Sequence, residues 1–283
     1  MLDPAQIDFD RADLSKILRH LRKAARLSGE RLAARTHMSQ SKISRIENGR
    51  LLPSITDVQQ ILRALEVPQD QARELLELAK VANTEYESRR DGRQRGATRW
   101  QRELTGLVEQ SSHIRYVLPV MPPGMLQTRE YVVSNVYSPL SKYGDNEKAR
   151  LVEAKLARHE LLHLPGKTFT FLFTETAVRN RLLPPAGMAD QVDHLVAASH
   201  LPSVRIEVLP LDVVLSRLPL NIFMVYDERL VLVETHGGAT VLRDPADVAE
   251  HLELFEYFQQ HTLKGDECRE FLRGIADEFR AES

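Results

Sequence analysis

The stretch SGERLAARTHMSQSKISRIENGRLLPS, residues 28–54, constrains the fold of this chain more than any other segment. Ser28 can cap a helix over residues 29–36, and Ser39 can cap a second helix over residues 40–47, because a serine side chain at such a position accepts a hydrogen bond from a first-turn amide. A turn of about three residues then joins two short helices. The pattern predicts a helix-turn-helix.

The second of these helices has two distinct faces. Ile43 and Ile46 point inward at i, i+3 spacing, so the polar residues lie on the other side. Glutamine can bridge adenine, arginine can grip guanine through two hydrogen bonds, and serine can serve as donor or acceptor. A solvated polar face would have the same composition. We predict that this face contacts DNA bases through Gln40, Ser41, Lys42, Ser44 and Arg45.

A second set of residues lies at the ends of these helices. Backbone amides at a helix N-terminus and cations beyond a helix end can hold phosphates without reading sequence. Ser28, Gly29, Asn48 and Arg50 occupy such positions and are predicted to contact the phosphate backbone.

The charge distribution supports a polyanionic partner. The chain has a net charge of -2, but residues 11–50 contain eleven Lys or Arg and three acids, a local charge of +8. The rest of the chain is therefore acidic. A basic folded segment on an acidic body is the electrostatic footprint of a surface that binds nucleic acid, and we expect double-stranded DNA to be the partner.

The periodicity of apolar residues divides the chain into two domains. Residues 1–82 have helical spacing with short breaks, which predicts an all-α domain of about five helices. Residues 83–99 are rich in arginine and glycine and are predicted to be a polar linker. Residues 100–283 are predicted to form an α+β domain. Its expected strands are HIRYVLPV, KTFTFLFT, VRIEVLP and RLVLVET, and its expected helices lie near 146–164, 187–200, 245–261 and 266–281.

The cysteine count and the N-terminal sequence indicate the cellular compartment of the protein. A single cysteine, Cys268, leaves no internal disulfide framework, which suits a reducing compartment. The N-terminus has acids where a signal peptide needs basic and apolar residues, and no apolar run reaches the length of a membrane span. We expect a cytoplasmic protein that does not enter a membrane.

The phosphate-binding and nucleophile-elbow motifs of common enzymes are missing from the sequence, so we expect no enzymatic activity and no cofactor.

Two resemblances follow from these motifs. RLSGERLAAR followed by SQSKISRIENGR resembles the Xre-type, lambda-repressor-like helix-turn-helix family, over residues 14–80. Trp100, VMPPGMLQTREYV and KARLVEAKLARHELL resemble the antitoxin-like C-terminal domain of actinobacterial regulators. The first resemblance implies a partly buried ion pair between Arg22 and Glu47. The second implies a small acidic protein, encoded by a neighbouring gene, as a partner.

The chain departs from the first family at two turns where glycine is usual. Arg26 and His37 occupy these positions, each just past a helix end. We expect both in the left-handed backbone region, which costs a non-glycine residue about 1 kcal/mol.

The motif HELLH at residues 159–163 suggests a different chemistry. On an α-helix, His159 and His163 would share one face and could bind zinc, with Glu160 aimed at the bound water. Pro165 and Gly166 end the predicted helix at once, and no downstream segment offers an obvious third ligand. We therefore expect no metal there, with two histidines on an amphipathic helix as the simpler interpretation.

Together these features predict a sequence-specific DNA-binding transcriptional regulator. A helix-turn-helix reads few base pairs, so a homodimer that places two units about 34 Å apart is expected. The C-terminal domain would bind a ligand, a partner protein or a second subunit. Two alternatives remain: a DNA-binding protein fused to a zinc metallopeptidase, and the antitoxin of a toxin–antitoxin pair.

Overall fold

The computed structural model describes residues 4–88, 97–236 and 238–283. The chain folds into two compact units, one of residues 1–87 and 240–247 and the other of residues 88–239 and 248–283. The first is mainly helical, and the second combines helices with a β-sheet. The predicted fold class, an all-α domain followed by an α+β domain, is confirmed.

Five helices build the first unit. They are α1 (Pro4–Ala24), α2 (Gly29–Thr36), α3 (Gln40–Glu47), α4 (Ile55–Ala64) and α5 (Gln69–Asn83). Ser28, Ser39 and Ser54 cap α2, α3 and α4, each accepting a hydrogen bond from the amide three residues later. The predicted starts of α2 and α3 are therefore correct, because the capping serines fix them.

A single hydrophobic core holds these helices together. Leu14 and Leu18 of α1 pack with Ile43 and Ile46 of α3 and with Val58 of α4, and each of these side chains is at most 1% exposed. Burying a side chain of this kind stabilises the fold by about 1.5–3 kcal/mol. The same packing turns the opposite face of α3 toward solvent.

A segment distant in sequence completes the first unit. Residues 240–247 belong to it, and the carboxylate of Asp244 accepts a hydrogen bond from the amide of Ile55 at 2.8 Å, at the start of α4. The amide of Arg243 donates to the carbonyl of Asn83 at 3.3 Å. The helix-turn-helix unit thus includes residues that the predicted boundary at 82 leaves out.

The second unit is built from the remaining helices and most of the strands. The strands are β1 (Thr84–Ser88), β2 (His113–Leu118), β3 (Thr168–Thr174), β4 (Val204–Leu209), β5 (Ile222–Tyr226), β6 (Leu230–Glu234) and β7 (Gly238–Leu242). The α-helices are α6 (Ala97–Glu109), α7 (Arg129–Val136), α8 (Asp145–Leu156), α9 (Glu175–Arg179), α10 (Pro185–Ala198), α11 (Pro245–Gln259) and α12 (Gly265–Ala281), with 3-10 helices at Gly124–Leu126 and Ala157–His163. β1 and β7 are neighbours, and their residues are divided between the two units.

Five strands of the second unit form a mixed sheet in the order β6-β5-β2-β3-β4. β2, β3 and β4 run parallel, with Tyr116 opposite Phe171 and Phe171 opposite Ile206. β5 pairs antiparallel with both β2 and β6. Parallel strands need long connections, and here helices supply them: α7 and α8 lie between β2 and β3, and α9 and α10 between β3 and β4.

The predicted strands and helices of this unit match the structure in type, except that the end of the helix predicted near 146–164 is a 3-10 helix over Ala157–His163. All four predicted strands are present as β2, β3, β4 and β6. β5, a central strand, is missing from the predicted set. The middle of the predicted linker, residues 89–96, lies outside the described residues, while its ends belong to β1 and α6. No helix in the described part of the chain has the length and apolar character needed to span a membrane.

Candidate nucleic-acid interface

The helix α3 presents a polar face on the first unit. Gln40, Ser41 and Arg45 are exposed, whereas Ile43 and Ile46 are buried at 1% and 0% exposure. The hydroxyl of Ser39 accepts from the amide of Lys42 at 3.1 Å and lies 3.0 Å from the hydroxyl of Ser41. The helix is therefore fixed at its N-terminus, and its exposed side chains carry the donors and acceptors that base edges need.

Lys42 has a partner within the protein. Its ammonium group donates to Asp57 at 2.7 Å, and this carboxylate also accepts from the amide of Ser54 at 3.2 Å. The Lys42 side chain is 39% exposed. A phosphate or a guanine that engages Lys42 must therefore compete with Asp57. The letters SITD before an apolar run form a capping-box pattern, with Ser54 as the N-cap and Asp57 at the third helical position, but no local pattern indicates the pairing of Asp57 with Lys42.

The C-terminal end of α3 has a compact turn. The side-chain amide of Asn48 donates to the carbonyl of Ser44 at 2.8 Å and to its hydroxyl at 3.4 Å. Gly49 follows with a φ of +67°, in the left-handed region that favours glycine. Arg50 follows this turn and is exposed, and its amide donates to the carbonyl of Arg45 at 2.8 Å.

The N-terminus of α2 lies beside the start of α3. A Cβ atom placed on Gly29 would be 3.9 Å from the side-chain amide nitrogen of Gln40. Ser28 is exposed and accepts from the amide of Arg31 at 3.1 Å. The structure thus brings together Ser28, Gly29 and Gln40, at a helix end whose free amides favour an anion.

An ion pair connects α3 to α1. The guanidinium group of Arg22 donates to both carboxylate oxygens of Glu47, at 2.5 and 2.7 Å, and to the carbonyl of Leu27 at 2.7 Å. The two side chains are 14% and 8% exposed. Hydrogen bonding to Glu47 raises the pKa of Arg22. The structure therefore joins the two residues that the family resemblance pairs, and their ion pair connects α3 to α1.

The two turns that lack glycine have the expected backbone. Arg26 and His37 both have a φ of 55°, so the prediction of left-handed residues after α1 and α2 is confirmed. Glu66, after α4, has the same conformation and lies outside that prediction.

Comparison with protein families agrees with this geometry. A family described as "Helix-turn-helix domain" matches residues 13–75, the segment that contains α2 and α3. A second family, described as "Domain of unknown function (DUF5753)", matches residues 101–274, which is more than half of the chain. The chain belongs to the DUF5753 family. It therefore joins a helix-turn-helix DNA-binding domain to a DUF5753 domain.

Comparison with individual proteins adds little. No curated protein matches the chain. One similar solved structure is titled "Structure of TrmBL2, an archaeal chromatin protein, shows a novel mode of DNA binding"; it is 13% identical, with a TM-score of 0.32. The match covers 73% of this chain and 66% of that chain, just under two thirds of its length. This likeness is too slight to carry an argument.

The HELLH motif lies in the DUF5753 domain, and its predicted α-helix is wrong. α8 ends at Leu156, and Ala157–His163 forms a 3-10 helix. With about three residues per turn, residues four apart point in directions about 120° apart. His159 packs against His194, with ring centroids 5.8 Å apart, whereas His163 is exposed. The two imidazoles therefore do not share a face. Within the described ranges, no group of three or more His, Cys, Asp or Glu side chains is placed to hold a metal ion.

Proposed function

We propose that this protein is a sequence-specific transcriptional regulator of the Xre type, in which α3 reads bases in the major groove of DNA. The observation that carries the proposal is the capped helix α3, whose exposed polar face lies opposite a buried apolar one. The ion pair of Arg22 and Glu47 supports it, because a reading helix needs a fixed position on its domain. The local charge of +8 over residues 11–50 favours association with DNA.

The proposal divides the interface into two kinds of contact. Arg45 is exposed on the reading face, and Arg50 is exposed beyond the end of α3. Arg45 should read a base, and Arg50 should hold a phosphate. Gln40, Ser41 and Ser44 share the reading face, with Lys42 at its edge. Ser28, Gly29 and Asn48 join Arg50 in positioning the protein.

The two arginines provide the test. An operator is first selected from random duplexes, and binding of Arg45→Ala and Arg50→Ala is measured by fluorescence anisotropy at several salt concentrations. Arg45→Ala should weaken operator binding by about 1–3 kcal/mol and relax preference at one base position. Arg50→Ala should weaken binding to all sequences alike and reduce the salt slope by about one. If Arg45→Ala and Arg50→Ala both lost equal binding free energy on operator and random DNA, α3 would not be the helix that reads the base sequence.

We further propose that the DUF5753 domain forms a homodimer or holds a partner protein, without enzymatic activity. The connection between β4 and β5 supports this, because Val214 is 93% and Leu220 is 83% exposed, with Leu211 and Leu218 also exposed. Apolar side chains grouped on a surface favour association. DNA binding and a single buried cysteine fit activity in the cytoplasm.

The assembly is tested by light scattering on the purified chain. The wild type should be a dimer at micromolar concentration, and Leu220→Asp should be a folded monomer, whose apparent Tm is lower only because dimerisation no longer stabilises it. A monomeric wild type that binds one operator tightly would contradict the dimer.

The antitoxin alternative predicts a small acidic protein in a pull-down analysed for DNA and protein together. The 3-10 helix turns the two histidines of HELLH apart, which favours the proposal of a non-enzymatic domain over the peptidase alternative.

A further inference from the structure

An open groove lies between α7 and α8 on the surface of the DUF5753 domain. Its volume is about 580 Å³. Residues of these two helices line it, together with Thr98 of α6. They are Arg129, Val133 and Tyr137 from α7 and its C-terminal end, and Ala149, Arg150, Val152 and Glu153 from α8. Small-molecule pockets in proteins have volumes of about 300–1,000 Å³, so the groove has the size of a ligand site.

The lining of the groove is mainly apolar. Val133 is 37% and Tyr137 is 44% exposed, and Ala149 is exposed as well. Val152 is 4% exposed and belongs to the core cluster that packs α7 against α8. The groove therefore leaves apolar side chains in contact with water on top of a packed helix pair. A ligand with an apolar body would remove this surface from water.

Contacts between the two helices bridge the groove at both ends. Arg129 donates to Glu153 at 3.0 Å at one end. At the other end, Lys148 Nζ lies 5.3 Å from the centre of the Tyr137 ring. The distance from Arg129 to Tyr137 along the helix is about 12 Å, at 1.5 Å per residue. A groove of this length, bridged at both ends, suits a small molecule better than a polypeptide that continues beyond it.

The charged residues of the groove favour an anion. Two arginines and one glutamate line it, which gives a net charge of +1. Glu153 is paired with Arg129, whereas Arg150 has no carboxylate within ion-pair distance among the described residues. Its Nε donates to the carbonyl of Asn146 at 3.2 Å. The two terminal nitrogens of a guanidinium group can still hold a carboxylate through parallel charge-assisted hydrogen bonds.

We propose that this groove binds a small organic acid with an aromatic body and one carboxylate. The aromatic body packs on Val133 and Ala149 and against the Tyr137 ring, and the carboxylate accepts hydrogen bonds from Arg150. The bound body shields Arg150 from water, which strengthens its attraction for the carboxylate because the effective dielectric constant falls. The inference goes beyond the proposed function, since it assigns a site that neither α3 nor the connection between β4 and β5 includes.

Naphthylacetate is the probe for this site, and its neutral amide, naphthylacetamide, is a comparison of the same shape. Each is titrated into the full-length chain in a calorimeter at constant ionic strength. A ligand of this size should bind with a Kd of about 1 mM or lower. The amide should bind about tenfold more weakly, because it lacks the charge that Arg150 recognises. Acetate, which has no apolar body, should give no saturable heat.

Three variants locate the site. Arg150→Met should weaken the binding of naphthylacetate about tenfold and leave that of naphthylacetamide unchanged. Ala149→Trp fills the groove and should block both compounds, while the Tm stays close to that of the wild type because the position is exposed. Arg273→Met, at an exposed arginine of α12 outside the groove, is the matched control and should bind both compounds as the wild type does.

Three results would overturn the inference. The first is a wild-type chain with no saturable response to naphthylacetate. The second is an Arg150→Met variant that still prefers the acid over the amide, because another cation would then hold the carboxylate. The third is an Ala149→Trp variant that binds as the wild type does, because the ligand would then lie elsewhere. Operator binding on the same samples tests the proposed function separately, since either can fail while the other holds.

Discussion

Removing Arg22 should destabilise the helix-turn-helix unit far more than removing a neighbouring arginine. Arg22→Ala removes two hydrogen bonds to Glu47, at 2.5 and 2.7 Å, and one to the carbonyl of Leu27. Glu47, 8% exposed, then keeps its charge without a cation. Breaking a buried pair in this way costs about 3–5 kcal/mol, and the partial exposure of Arg22 favours the lower value. Arg19→Ala, at an exposed position of the same helix, should cost within about 0.5 kcal/mol.

This difference is measurable by thermal unfolding. In a unit of this size 1 kcal/mol corresponds to about 4–8 °C, so Arg22→Ala should lower its Tm by about 12 °C or more. The lower Tm of the helical unit is followed by the ellipticity of its helices in circular dichroism. The fluorescence of the single tryptophan, Trp100 in α6, reports the second unit and should keep its midpoint.

A double variant tests the cause. Arg22→Met with Glu47→Leu removes both charges and should recover most of the lost stability, because an apolar pair of similar volume often replaces a buried ion pair at little cost. Equal losses for Arg22→Ala and Arg19→Ala would refute the reasoning. So would a double variant no more stable than Arg22→Ala.

Three further predictions concern the rest of the chain. Asp244→Ala leaves the amides of Ile55 and Ala246 without their acceptor, so it should cost about 2 kcal/mol in urea unfolding, whereas the exposed Glu256→Ala should cost little. Burial and the charge of His159 lower the pKa of His194 below its usual 6.5. The unfolded chain therefore binds more protons, and stability should fall as the pH drops below about 6.5, less steeply in His194→Gln than in His163→Gln. Burial raises the pKa of Cys268 to about 12, so a thiol reagent at pH 8 should react with it only after unfolding.

Local signals explain which parts of the fold could be predicted. Ser28 and Ser39 mark the starts of α2 and α3, and Thr128 marks the start of α7, where its hydroxyl accepts from the amide of Tyr131 at 3.3 Å. Each cap acts within three residues, so a short stretch of sequence contains the whole interaction. The outward face of α3 follows from the same local spacing, because Ile43 and Ile46 fix which side is buried.

The strand β5 has no such signal. It lies between β2 and β6, and Phe223, Met224, Val225 and Tyr226 are all buried. A strand buried on both faces reads as a continuous apolar run without the alternation of an exposed strand. Five apolar residues fit a strand or a turn of helix equally well. Only the pairing of this segment with β2 and β6 makes it a strand.

The HELLH motif and Asp244 show two ways in which a prediction from a short stretch of sequence fails. The motif implies zinc only on a helix of 3.6 residues per turn, and the chain tightens to a 3-10 helix just where α8 ends before Pro165. Asp244 lies 189 residues from Ile55, so no local pattern connects them. A fragment that stops near residue 87 would leave the start of α4 without this acceptor. The unit that carries α3 therefore depends on residues encoded within the second domain.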